Sequence, residues 1–132
     1  MMTEYRKLMD YLSLSPGDLA DVMTAYLLVS IETVRGETPN AEERRAVRGE
    51  VAAKLTESSE LRRLGASDKQ ILAERYAYST LATAVTFQLF KRGDEAVRLA
   101  GFRSRVRDNV LKATGIDPGR VAFTEMGLSR RR

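Results

Sequence analysis

The 132-residue sequence predicts an all-α fold, a compact bundle of four principal helices with short helical pieces at the N- and C-termini. Three observations lead to this reading. Apolar residues recur at three- and four-residue spacings over long stretches. Small polar residues followed three positions later by an acid or amide stand before three of those stretches, where they act as helix starts. With three Pro and nine Gly, there is little room for a turn-rich all-β chain. Hydrophobic residues at 43% and charged residues at 30% fit one soluble globular domain and exclude global disorder. That domain is placed at residues 1–128, with 129–132 as a disordered basic tail.

The first piece, Glu4–Leu12, puts Tyr5, Leu8, Met9 and Leu12 on one side. Ser15-Pro16-Gly17-Asp18 reads as a helix start, with Ser15 as N-cap, Pro16 at the first helical position and an acid at the third. The helix it opens ends at Gly36. Its apolar residues, from Leu19 to Val34, cover an arc of about 200° at the helical period, so it is expected at the centre. Asn40-Ala41-Glu42-Glu43 opens a more polar helix, Ala41–Thr56, with a narrow stripe of Val47, Val51 and Leu55, and with Glu50 and Lys54 as an i,i+4 pair. After a break at Thr56–Ser59, a short turn carries Leu61 and Leu64 and closes at Gly65. Ser67-Asp68-Lys69-Gln70 starts the longest helix, running to about Arg92.

This longest helix has two apolar arcs. Ile71, Tyr78, Leu81, Ala82, Val85 and Leu89 form one, while Leu72, Tyr76, Phe87 and Phe90 form the other. Two arcs imply packing on two sides, and the helix is expected to pair centrally with the Ser15-started one. Of Tyr76 and Tyr78, one is expected to face the core and the other to contact a partner. Asp94 is placed as cap of the last long helix, Glu95–Thr114, whose stripe is Leu99, Phe102, Val106, Val110 and Ala113 and whose C′ residue is Gly115. Asp117-Pro118 can open one helical turn, after which Val121 and Phe123 lie extended against the bundle.

Composition narrows the chemistry. Cys, His and Trp are absent, which excludes disulfides, thiol chemistry, Cys/His metal sites and imidazole-based triads. The acid pairs Asp18/Asp21 and Glu42/Glu43 stand at helix starts, where the helix dipole alone favours them, so no metal and no cofactor is expected. Glu74, at the edge of an apolar arc, is the candidate polar site, with a structural ion pair as the simpler reading. The net charge of +4 is unevenly placed. Residues 91–132 hold 11 Lys/Arg against 5 Asp/Glu, so the last third carries +6. Arg98, Arg105 and Lys112 recur every seven residues, and with Arg120 they form a candidate basic surface for nucleic acid or another anionic surface. Asp94 and Asp108, four residues before Arg98 and Lys112, favour internal neutralisation instead.

Three segments together resemble a known family. They are Leu14-Ser15-Pro16-Gly17-Asp18-Leu19 through Tyr26 with Arg35-Gly36; Gln70-Ile71-Leu72-Ala73-Glu74-Arg75; and Gly115-Ile116-Asp117-Pro118 with Phe123-Thr124-Glu125-Met126-Gly127-Leu128. Their order and spacing resemble a family of small bacterial all-helical proteins classed only as a domain of unknown function. The resemblance spans about Leu8 to Leu128 and implies an all-helical fold but no activity. Its members are often exported, and they carry a Trp in the second helix where this chain has Leu27 to Ile31. The chain as written carries no apolar signal segment and reads as cytoplasmic, or as periplasmic or secreted if an upstream signal has been removed. Tyr76–Phe90, the longest uncharged run, is too short and polar to be a transmembrane segment.

The expectation that follows is a non-enzymatic protein-binding or scaffold module with a protein partner or self-association, including a homodimer. The alternatives are nucleic-acid or anionic-surface binding through the last third, and carriage of a hydrophobic ligand between the two central helices.

Overall fold

The computed structural model describes residues 2–93 and 95–130. Its elements are α1 (Met2–Tyr11), α2 (Leu19–Arg35), α3 (Ala41–Glu57), α4 (Ser59–Arg63), α5 (Ala66–Arg92), α6 (Ala96–Thr114), β1 (Val121–Thr124) and β2 (Gly127–Arg130). The fold is thus all-α in its body, with one small antiparallel hairpin at the C-terminal end.

α2 is central because its apolar residues leave no polar face. It packs on α3, α5 and α6, and buries Val22, Ala25, Leu28 and Ile31 almost completely. Two threonines fall inside this core. Thr24 and Thr33 each donate their hydroxyl to the carbonyl one turn back, Ala20 at 2.7 Å and Val29 at 2.8 Å, which makes a buried polar group tolerable. α5 lies along α2, and Tyr26 meets Tyr76 edge to face at 4.9 Å. α1 supplies Tyr5 and Met9 to the same core, and α3 supplies Val47 and Val51. From α6 come Val106 and Val110, with Phe102 edge-on to Phe90 at 5.7 Å. Ala113, expected on that stripe, is exposed.

The helix ends follow capping chemistry, with corrections. Asn40 caps α3 as expected, in a reciprocal box with Glu43. Gly36 and Gly115 close α2 and α6 in the left-handed conformation. Ser15, however, is not the cap of α2. Residues 15–18 form a turn, Asp18 itself caps the helix, and its carboxylate accepts the Asp21 N–H at 3.3 Å. The Ser15 backbone N–H instead donates to Asp21 Oδ2 at 2.8 Å. Nor does Ser67 cap α5. The helix begins two residues earlier, at Ala66 with Gly65 as N-cap, and no side-chain hydrogen bond caps it among the described residues. The expected cap Asp94 lies outside the described residues, and Glu95 occupies the N-cap position of α6.

The C-terminal piece is strand rather than helix. Asp117 and Pro118 form a turn, and β1 and β2 pair with Val121 opposite Arg130 and Phe123 opposite Leu128. Ser129 and Arg130, expected in a disordered tail, are part of that ladder, whereas residues 131–132 lie outside the described residues. The hairpin is held by α3. Glu50, expected to pair with Lys54, accepts the Leu128 backbone N–H at 3.0 Å. Gly127 sits at φ +112, and any Cβ there would collide with the Glu50 carboxylate.

Candidate interaction surface

α5 carries two apolar faces on opposite sides of one helix, and only one is covered. The inner face, with Ala73, Tyr76, Ala77, Thr80, Ala84 and Phe87, packs into the bundle or against its edge. The outer face carries Ile71, Tyr78, Val85 and Leu89, which are 51%, 60%, 50% and 62% exposed. These four fall within about 40° of arc at the helical period, and Ala82 lies beside them. Packing on two sides was expected of this helix. The second side faces solvent, while α2 meets α5 at Tyr76 and α6 meets it at Phe87 and Phe90. The whole apolar arc of α2, by contrast, is used inside the bundle. Of the two tyrosines, Tyr76 is the one that faces the core, packed on Tyr26, and Tyr78 is exposed. Burial raises the pKa of both Tyr26 and Tyr76 above that of a free phenol, so both remain hydrogen-bond donors at any physiological pH.

Glu74 is exposed on the flank of this outer face, not partly buried as its position suggested. It accepts a hydrogen bond from Gln70 Nε2 at 3.3 Å. Beside it runs an open groove of about 870 Å³, walled by Tyr5, Pro16, Gly17, Ala73, Ala77 and Leu81, with Lys69, Gln70 and Glu74 among the polar residues that line it. This groove lies between α1, the turn before α2, and α5. Burial pushes the pKa of the Tyr5 phenol up to about 12, and its hydroxyl has no hydrogen-bond partner.

The cations of the last third divide into two groups. Arg103 and Arg107 hold the fold. Arg103 Nε donates to the Thr33 carbonyl at 2.8 Å, and its guanidinium lies over the Phe87 ring. Arg107 grips Asp117 through two hydrogen bonds of 2.7 and 2.8 Å, which holds the Asp117 carboxyl below its usual range. Asp117 also accepts the Gly119 N–H, and Arg35 donates to the Gly119 carbonyl, so the turn is latched from both sides. Arg98, Arg105, Lys112 and Arg120 are exposed. Arg98 pairs with Glu95 at 3.5 Å, and Arg120 lies 3.8 Å from Asp117. The Asp94–Arg98 pairing expected from the sequence involves a residue outside the described ones, and among the described residues Asp108 and Lys112 form no ion pair with each other. Arg98, Arg105 and Lys112 recur every seven residues along α6, and Arg120 stands in the turn that follows it. Sequence reasoning also missed Arg103 and Arg107, because their partners, Thr33 and Asp117, lie on other elements.

Among the described residues, no group of three or more carboxylates could hold a metal ion, and no helix is long and apolar enough to cross a membrane. Comparison with protein-family models matches residues 1–131 to DUF6683, a family of unknown function. The chain belongs to this family. As a DUF6683 protein it has the family of unknown function that its three sequence segments pointed to, and the match takes in the bundle and the hairpin together. No curated protein and no solved structure matches the chain.

Proposed function

We propose that the protein is a non-enzymatic protein-binding module that engages its partner through the outer face of α5. One observation carries the reading: four large apolar side chains stand in line on a helix whose opposite side already fills the core. Isolated exposed apolar residues are ordinary, whereas four of them aligned on one side of one helix mark a contact surface. About half of each side chain is still open to water. Covering that half contributes roughly 1 kcal/mol per residue, or about 4 kcal/mol for the line, before the losses of association. A partner therefore has to bring apolar surface of its own along the length of the helix.

The test is site-specific photo-cross-linking in cells that express the protein natively. A photoreactive residue at Val85 is expected to give a discrete protein adduct, and one at exposed Ala53 on α3 is expected to give none. Equal labelling from both positions, or no protein adduct from Val85, overturns the proposal.

A further inference from the structure

Resting on that reading, we infer that the partner of α5 is α5 of a second copy, paired antiparallel in one register. The outer face follows an alternating three- and four-residue spacing from Asp68 to Arg92. Its positions are 68, 71, 75, 78, 82, 85, 89 and 92, and every one of them is exposed. This 3,4 repeat is the seam of a two-stranded coiled coil, in which a and d residues of one helix fit between those of the other. The seam is about 36 Å long at 1.5 Å per residue.

Charge and size select the orientation. A parallel pair would set Asp68 against Asp68, Arg75 against Arg75 and Arg92 against Arg92 of the two copies, three like-charge layers. In the antiparallel register centred on residue 80, Asp68 of one copy faces Arg92 of the other, so both ends of the seam close on opposite charges. Ile71 then meets Leu89, and Tyr78 fills the space above Ala82, large against small. Arg75 lays its methylene stem over Val85 and keeps its guanidinium at the edge. Sliding by one heptad in one direction sets Arg75 against Arg92. Sliding in the other leaves Leu89 and Arg92 without an opposite. A second copy also supplies the matching apolar line that the proposed function requires.

The interface is at the small end for a stable pair, so a monomer–dimer equilibrium with a dissociation constant on the order of micromolar is expected. Sedimentation velocity over a concentration series tests it on the full chain, with a charge-swap cycle. Asp68→Arg and Arg92→Asp should each weaken dimerisation about tenfold or more, and the double variant should restore it. Both positions are on the surface, and circular dichroism at each step checks that the fold is kept. A chain that stays monomeric at several hundred micromolar overturns the inference. So does a dimer that the double swap fails to restore, since the register is then wrong. A monomeric chain whose Val85 position cross-links to a different protein overturns self-pairing while leaving α5 as the binding face. A monomeric chain with no adduct from Val85 overturns both.

Discussion

Asp21 joins three parts of the molecule, and removing it should cost far more than removing the cation it pairs with. The side chain is 3% exposed. Its Oδ2 accepts the Ser15 backbone N–H at 2.8 Å, and its Oδ1 accepts Arg48 Nε at 2.5 Å. It thereby ties the turn before α2 to α3. In Asp21→Ala the Ser15 N–H loses a charged acceptor, worth about 1.5–3 kcal/mol. The ion pair adds less than this hydrogen bond, because the Arg48 side chain is 53% exposed and returns to water when released. The expected loss is about 2–4 kcal/mol. For a domain of this size that is a fall in Tm of about 8–16 °C. Asp21→Asn keeps an acceptor but not its charge and should lose about 1–2 kcal/mol, whereas Arg48→Ala should lose clearly less than Asp21→Ala. Urea unfolding followed by circular dichroism at 222 nm measures all three. If Arg48→Ala costs as much as Asp21→Ala, or if Asp21→Ala costs less than 1 kcal/mol, the backbone hydrogen bond is not the source of the stability and the reasoning fails.

Gly127→Ala combines a left-handed φ with a collision against Glu50, so it should destabilise by about 1–3 kcal/mol and expose the β1–β2 amides to hydrogen exchange, with α2 and α5 unchanged. Tyr5 titrates at about 12 in the fold against about 10 when unfolded, so its contribution is intact below pH 10 and falls by roughly 2–3 kcal/mol as the pH rises towards 12. Tyr5→Phe should flatten that alkaline decline in pH-dependent unfolding, and an unchanged slope would place the titration elsewhere. Asp117 has the opposite sign. Its folded pKa lies below its unfolded one, so the latch stabilises above about pH 4 and is lost as the pH drops through the folded value. Arg107→Ala should make acid unfolding less steep, as read from its midpoint against pH. Finally, Leu89→Ser on the outer face of α5 should leave the monomer's stability within about 0.5 kcal/mol, and a loss above 1.5 kcal/mol in a dilute sample would mean that the face is covered within the chain.

The helices were legible because each needs only local information. The 3.6-residue period of Val47, Val51 and Leu55 and the Asn40–Glu43 box act within one or two turns of backbone. The width of the apolar arc of α2 was enough to place that helix at the centre, since an arc of about 200° is too wide for one neighbour to cover. Three sites were misread where local signals competed. Ser15 and Asp18 both suit a cap, and the choice fell to Asp18 because the Ser15 N–H was claimed by Asp21. Glu50 had Lys54 one turn away but took the Leu128 N–H, 78 residues distant, because the backbone group had no other acceptor there. Asp117 and Pro118 gave a turn leading to a hairpin, and the hairpin exists because α3 offers Glu50 to hold it.

The candidate surface shows the same division. That α5 has two apolar arcs is a property of its sequence, because side-chain direction along a helix follows from backbone geometry alone. Which arc the bundle covers could not be read there, since both are apolar and both have the helical period. Tertiary packing decided it. The core meets α5 on the side of Ala73, Tyr76, Ala77 and Ala84, where small residues allow close approach, and the bulkier line of Ile71, Tyr78, Val85 and Leu89 remains in water.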